Sequence, residues 1–383
     1  MDEIRVSPYN YRMRNRNVAV YDTTLRDGEQ MPSVSFSVEQ KIKIAQALNE
    51  IGVKEIDAGF PAVCENERRA IKKISSLGLD AKILVLTRLL REDVDLALSC
   101  DADVVLLFIA TSDVHLKHKL KLEKEKIKQM VLDVVGYAKS HGLITSFSTE
   151  DTTRTSLDFL TELYKLAVAA GADRIGITDT VGCITPEGMG YLVKKIKIRD
   201  MPLSVHCHND FGLAVANAIA GVKAGANIVA TTVNGIGERA GNVPLEEFAV
   251  AMKVLYNVDV NIDIAGLTKL SRVVGFFSKN KIPKNKPIVG RNAFTHESGM
   301  HVSGVLKNPA TYEPFPPRLV GGRRRLMLGK HSGSAVVEYK LKNAGMKVEY
   351  VEKILHEVKL LGEKKGRVTD NEFWRIVERC RKS

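Results

Sequence analysis

The stretch Leu203-Ser204-Val205-His206-Cys207-His208-Asn209-Asp210 passes from β-forming residues straight into a polar cluster, and the chain repeats that passage seven more times. Elsewhere β-rich runs lie near Val18–Tyr21, Glu55–Ala58, Lys82–Leu86, Val104–Ile109, Ile144–Ser148, Arg174–Thr178 and Ile228–Val233. Each leads toward a helical stretch such as Val38–Ile51, Asn66–Ser76 or Leu160–Ala170, the alternation of a parallel sheet. A doubly wound sheet would bind its ligand at one switch point, with the ends of a few strands. Here polar motifs follow nearly every strand: Asp22–Gln30, Asp57–Pro61, Thr87-Arg88, Ala110–Ser112, Ser148–Asp151, Thr178–Gly182, His206–Asp210 and Asn234–Asn242. A closed barrel brings all these ends to one rim, so the expected fold is α/β, a (β/α)8 TIM barrel.

The pattern changes after about Asp259. A helical stretch near Leu267–Ser278 runs into Lys281–Pro287, whose prolines and charges read as a linker. A loop-rich segment with Thr295–His301 and Thr311–Pro317 follows, and helical patterns return around Ser334–Asn343, Tyr350–Leu361 and Asn371–Arg381. The expected organisation is a barrel over 1–280, a linker subdomain over 281–330 and a helical subdomain over 331–383.

Composition narrows the class. The 383 residues are 44% hydrophobic and 27% charged, enough to bury a substantial core. The 57 Lys and Arg against 45 Asp and Glu leave +12, yet aromatics are only 6% and no RNA-binding signature occurs. Small anionic ligands are the better reading of the charge, and the basic run Gly321–Arg325 beside Lys330-His331 suits either an anion or a solvated loop. The longest apolar stretch, Val104–Ala110, is too short to span a bilayer, and residues 1–17 hold no apolar signal segment. Five cysteines without a CxxC pair argue against disulfides and zinc fingers. A reducing, cytoplasmic setting is expected.

Residues in a strand alternate faces, so His206 and His208 point one way while Cys207 points the other. Two inward imidazoles at a barrel rim form a metal half-site. Asp27, after the first strand and so adjacent to the eighth, supplies an oxygen ligand. Asn242 reads either as a weak amide ligand or as a turn residue. His₂ with Asp and Asn oxygen suits Zn²⁺, Mn²⁺, Co²⁺ or Mg²⁺ with positions left for substrate. Arg26 offers a planar fork for a carboxylate or carbonyl, or an ion pair. Glu150 is a carboxylate expected to point inward and to be paired or catalytic, while Ser148 and Thr180 offer hydrogen bonds. The loop with Gly235, Gly237, Arg239 and Gly241 is a candidate cradle for a phosphate or a pantetheine arm, although glycines also serve tight βα turns.

Taken together, DTTLRDGEQ (Asp22–Gln30), HCHND (His206–Asp210), NGIGERAGN (Asn234–Asn242), HESGMH (His296–His301) and LGKHSG (Leu328–Gly333) resemble the family of α-isopropylmalate, homocitrate and citramalate synthases. The resemblance implies a divalent-metal TIM barrel that condenses acetyl-CoA with a 2-oxo acid. It implies Asp27, His206 and His208 as ligands with Asn242 as a further one, Arg26 polarising the oxo acid, and Glu150 and Thr180 positioning the reactants. It also implies His301 as base, assisted by Tyr312, in a segment that reaches over a partner's barrel in a homodimer. The chain ends without the regulatory domain common in isopropylmalate and citramalate synthases. VSPYN (Val6–Asn10), FIATS (Phe108–Ser112) and PKNKPIVG (Pro283–Gly290) resemble the homocitrate synthases that feed coenzyme B synthesis, which implies 2-oxoglutarate as acceptor, with 2-oxoisovalerate or pyruvate as the alternatives. Homocitrate synthases of lysine synthesis typically carry Arg where this chain has Ser146 and His where it has Leu86. Arg88 is therefore the candidate partner for the distal carboxylate, against an ordinary ion pair with an acid such as Asp57. A lyase on the same barrel and a basic RNA-binding scaffold are the competing classes.

Overall fold

Eight parallel strands close on one another: β1 (Ala19–Asp22), β2 (Glu55–Asp57), β3 (Lys82–Arg88), β4 (Val104–Ala110), β5 (Ile144–Glu150), β6 (Arg174–Asp179), β7 (Leu203–Cys207) and β8 (Ile228–Thr231), with β8 pairing back onto β1. This computed structural model describes residues 4, 6–13 and 16–382; residues 1–3, 5, 14 and 15 of the N-terminal stretch read for a signal lie outside the described residues. The expected strands are found with small shifts at their ends. β3 and β5 run on through Arg88 and Glu150, and β7 stops at Cys207, leaving His208 in a lone bridge to Asn242.

Local chemistry sets the helices between the strands. Helix Val38–Glu50 begins at a reciprocal capping box of Ser37 and Gln40. Helix Pro186–Ile196 begins at Thr185, which caps Gly188 N–H, with Pro186 in the first turn. Both bury one apolar stripe, Ile44, Ala45 and Leu48 in the first and Met189, Val193 and Ile196 in the second.

The barrel axis is filled by alternate strand residues. One sector is apolar, with Leu84, Val104 and Leu106 packed beside Leu86 and Ile144. Another is polar and buried: Arg174 Nε donates to Ser146 Oγ at 2.9 Å, and its guanidinium pairs with Glu55 at 2.8 Å. A buried guanidinium without such partners would cost several kcal/mol.

The chain divides into two compact units, Tyr11–Ile282 and a second built from Pro283 onward with the described residues up to Asn10. In the second, β9 (Thr295–His296) pairs with β10 (Arg325–Leu326), and helices Gly299–Lys307, Ser334–Asn343, Val351–Lys365 and Asp370–Lys382 surround one core. Val302 and Leu328 share that core with Val336, Ile354, Phe373 and Val377. The stretches expected as separate linker and helical subdomains therefore fold as one body, because their apolar residues have no other place to be buried. Among the described residues no helix is long and apolar enough to cross a membrane, and all five cysteines are free.

Candidate active site

The loop after β1 is held from three sides before any ligand is considered. Asp22 accepts from Thr24 N–H at 2.9 Å, and Thr23 Oγ1 donates to Asp57 Oδ2 at 2.8 Å while accepting from Asp27 N–H at 3.3 Å. Behind the loop, buried Lys41 pairs with Glu29 at 2.6 Å and Glu67 at 2.7 Å and donates to Leu25 O at 3.1 Å. The result fixes Arg26: Nε donates to Asp57 Oδ2 at 2.8 Å and Nη1 to Asp27 Oδ2 at 2.7 Å.

Three donors converge there. His206 Nε2 lies 3.1 Å from His208 Nε2, and Asp27 Oδ2 lies 3.6 and 3.9 Å from the two. Ligand bonds to a Zn-like ion are about 2.0–2.2 Å, so each separation is shorter than two such bonds end to end. Burial holds both imidazoles below their usual pKa, His206 down to about 3 with His208 adding to the effect, so each ring is neutral and carries one lone pair at neutral pH. Burial pushes the Asp27 carboxyl up, but Arg26 and the two imidazoles outweigh it and hold it ionised below the usual range. Neutral imidazoles facing a carboxylate are the protonation state a cation requires. Asn242 Nδ2 donates to Asp27 Oδ1 at 2.8 Å and Ile236 O at 3.2 Å, leaving its own Oδ1 buried and unpartnered among the described residues. The donor set fits a divalent cation.

The group opens on a cavity of about 300 Å³ that takes in Glu150, Ser148, Thr180 and Arg239. Glu150 is clamped by Lys119 Nζ at 2.7 and 2.8 Å. Thr180 Oγ1 accepts from Asp151 N–H at 2.8 Å, and Ser148 Oγ lies 3.0 Å from Thr178 Oγ1 and 3.2 Å from Gly176 O. A neighbouring cavity of about 590 Å³ shares Arg26, Gln30 and Phe60 with it.

Two expectations are corrected. Arg88 closes its fork on Asp93, Nε and Nη2 each at 2.8 Å, with a side chain 53% exposed. It does not line the cavity, and its acid is not Asp57, which Arg26 and Thr23 occupy. The glycine loop is not a nest of free amides either. Gly235 and Gly241 N–H donate to Thr232 O and Glu238 O, and Asn242 N–H donates to Gly235 O. Gly237 is needed for close approach: a Cβ there would meet Asn242 Nδ2 at 2.1 Å and Asp27 Oδ1 at 2.8 Å. The loop packs the metal cluster, and Arg239 braces it by pairing with Asp210 at 2.8 Å and donating to Thr180 O at 2.6 Å.

Sequence reasoning gave no site role to Asp57, Lys119 or Tyr21. Asp57 carried the available signal, a carboxylate directly after a strand. Lys119 arrives through a π-helical turn, Leu116–Leu120, whose spacing has no helical or strand period to read. Tyr21 was hidden as one more aromatic of a β-run.

The second unit holds its own cluster. His301 stacks on Tyr312, ring centroids 3.9 Å apart and planes 18° from parallel. Gly304, one turn along the same helix, makes room for the Tyr312 ring, since a Cβ there would meet its Cε2 at 2.7 Å. Beside them His296 Nε2 lies 3.3 Å from Glu313 Oε1, which Arg324 holds at 2.8 Å.

Comparison with known proteins places this geometry. The HMGL-like family model matches residues 17–274, and the homocitrate synthase post-HMGL domain model matches 288–366. Homocitrate synthase AksA of Methanothermobacter thermautotrophicus is 49% identical, aligned over 98% of each chain. That of Methanopyrus kandleri is 52% identical over 94% of this chain and 91% of its own. The 2-isopropylmalate synthase of Methanocaldococcus jannaschii is also 49% identical, over 94% of this chain and 71% of its own. Among solved structures, the hydroxymethylglutaryl-CoA lyase of Pseudomonas aeruginosa shares the fold at 17% identity and a TM-score of 0.64, covering 70% of this chain and 95% of that one. With both family models in chain order and half of all residues shared across its length, the chain belongs to the homocitrate synthase and isopropylmalate synthase branch of the HMGL-like family.

Proposed function

We propose that the protein joins acetyl-CoA to 2-oxoglutarate, giving homocitrate and CoA. The observation that carries this reading is the buried group of Asp27, His206 and His208 beneath Arg26 at the mouth of the barrel. Full-length similarity to homocitrate synthase, over 98% of both chains, supports 2-oxoglutarate as the acceptor. The segment matched by the homocitrate synthase post-HMGL domain model, residues 288–366, supports a synthase over a lyase.

A divalent cation (Mn, Zn, Co or Mg) held by Asp27, His206 and His208, with Asn242 as a further ligand, supplies Lewis-acid stabilisation of the alkoxide that develops at the ketone. Arg26, fixed by two carboxylates, presents its remaining N–H groups to the oxo acid. Glu150 and Thr180 position the reactants. His301 removes a proton from the acetyl methyl group, with Tyr312 holding the imidazole by stacking. The resulting enolate carbon bonds to the ketone carbon, and water then cleaves the thioester to release CoA.

The reading includes a homodimer in which the segment carrying His301 serves the partner's barrel, and a reducing, cytoplasmic setting supported by the five free cysteines. Steady-state kinetics with acetyl-CoA and 2-oxoglutarate, 2-oxoisovalerate or pyruvate, following free thiol, test it. The highest kcat/KM should belong to 2-oxoglutarate. A clear preference for either other acid would move the protein to isopropylmalate or citramalate synthesis, and silence with all three would end the synthase reading.

A further inference from the structure

Tyr21 carries a hydroxyl that opens onto the active cavity. β1 places it on the wall of the active cavity, where only 3% of the residue is exposed. Its side chain makes no hydrogen bond among the described residues. A buried tyrosine hydroxyl ordinarily finds a partner, and leaving one unmade costs about 1–3 kcal/mol. With protein partners absent among the described residues, its hydrogen bond goes to what fills the cavity, water or the bound acid.

The surroundings say what kind of group that is. Leu86, Leu106 and Phe108 make the neighbouring wall apolar, and the Ser148 and Thr178 hydroxyls are committed to each other and to Gly176 O. Behind the Tyr21 ring sits the Arg174 guanidinium, 5.4 Å from the ring centroid and fixed by Ser146 and Glu55. The Tyr21 ring thus rests on a guanidinium already paired with Glu55 and offers an uncommitted O–H donor, which suits an anionic acceptor. Arg26 and the Asp27, His206 and His208 group line the same cavity at the C-terminal ends of β1 and β7, where the ketone belongs, whereas Arg174 beside the Tyr21 ring opens β6 at the other end of the barrel. Arg88 is turned away onto Asp93, so no charged fork competes with Tyr21 for the role. A branched alkyl end would leave the hydroxyl dry.

We propose that Tyr21 is the residue that determines acceptor specificity, its hydroxyl donating to the carboxylate that the oxo acid carries at the end away from the ketone. This rests on the reading of the protein as a 2-oxo acid synthase with 2-oxoglutarate as acceptor. It also gives Ser146 a role: its small side chain leaves room for Arg174 from the next strand and anchors it beside the Tyr21 ring. The percentages of identity cannot make this distinction, since homocitrate and isopropylmalate synthases both stand at 49%.

Tyr21→Phe removes one oxygen and keeps the ring against Arg174. With metal-loaded enzyme and acetyl-CoA, kcat/KM for 2-oxoglutarate should fall about 10- to 100-fold, the value of a hydrogen bond to a charged group. The loss should lie in KM, while 2-oxoisovalerate is used as well as before or better. Calorimetric affinity for 2-oxoglutarate without acetyl-CoA should fall by the same factor. An unchanged KM for 2-oxoglutarate, or equal losses with both acids, overturns the proposal and leaves Tyr21 structural. If Tyr21→Phe does not fold, Arg174→Lys, which keeps a cation for Glu55 but withdraws the planar group from the ring, must show the same acceptor-selective loss or the proposal fails. The wild-type panel separates the two levels. A wild type indifferent to 2-oxoglutarate sinks the functional reading and this proposal together; a wild type that prefers it, with a variant that still does, sinks only the role of Tyr21.

Discussion

Arg26 Nε lies 2.8 Å from Asp57 Oδ2, and neither side chain is more than 10% exposed. The pair ties the loop after β1 to the end of β2 and leaves Arg26 with one orientation, across Asp27. Asp57→Asn keeps the shape and the acceptor but removes the charge, so Arg26 should lean on Asp27 alone. The expected result is a loss in kcat of about ten-fold or more with the fold retained, since a misplaced positioning group far outweighs the small structural change. Asp57→Ala also removes one of the two carboxylates that hold the buried guanidinium and should cost on the order of 1–3 kcal/mol in denaturant unfolding. Wild-type kinetics in Asp57→Asn would show that Arg26 needs no such anchor.

The cation site makes a second prediction. Two neutral imidazoles with Nε2 atoms 3.1 Å apart and a carboxylate oxygen within 4 Å of each form a ready donor set. Chelator should abolish turnover and added Mn²⁺, Zn²⁺ or Co²⁺ should restore it. It should also lower the melting temperature, because a ligand that binds only the folded state stabilises it. Asp27→Ala should lose turnover and the metal-dependent part of the melting temperature together. A chelated protein with full activity would remove the metal from the reaction.

Much of this site was legible in the chain itself. The alternation of His206 and His208 around Cys207 and the polar residues after each strand need only the two-residue period of a strand and the closure of a barrel. What stayed hidden is how the side chains and amides pair, some with neighbours a few residues on and some with strands distant in sequence. Arg88 looked like a carboxylate partner because it ends a strand, yet Asp93, five residues on, captures it locally. Arg174 looked like an ordinary strand start, yet closure of the barrel sets it against Ser146, Glu55 and the Tyr21 ring. The glycines of the loop after β8 looked like an anion cradle, while the amides of Gly235 and Gly241 are spent on the loop's own turns and Gly237 makes room for Asn242 and Asp27. A sequence reports which groups reach a rim; their pairing there is decided by neighbours it does not list in order.

Asp22 supplies a prediction about pH. It is fully buried, and burial outweighs the hydrogen bonds from Thr24 and raises its pKa from 3.8 to about 7. The folded state therefore binds this proton more tightly than the unfolded chain does. Its stabilising contribution is complete below pH 3.8 and is lost as the pH rises to about 7. Asp22→Asn, which keeps an acceptor for Thr24 N–H, should gain stability over wild type across that window. The gain at alkaline pH should be on the order of a few kcal/mol, each pKa unit being worth about 1.4 kcal/mol. Thermal melts of both proteins at several pH values check this; a difference independent of pH would mean that Asp22 titrates in the fold as it does in the unfolded chain.

The base assignment is the most demanding prediction because its two parts can fail separately. His301 is exposed on the helix Gly299–Lys307 and is stacked on Tyr312, and its proposed task is to take the acetyl methyl proton. His301→Ala should leave oxo-acid and metal binding nearly intact and cut the chemical step by about 10²–10⁴-fold. Loss of oxo-acid affinity instead would make His301 a binding residue. If the segment serves the partner's barrel, inactive His301→Ala and inactive Asp27→Ala protomers complement each other when mixed. A heterodimer then has one barrel with Asp27 that receives the intact His301 of the other chain, so random exchange should recover roughly one quarter of wild-type activity. Exchange is verified independently by mass, using protomers of different label. Exchange without recovery would place His301 in the service of its own chain's barrel, with its role as base still standing on the single-variant kinetics.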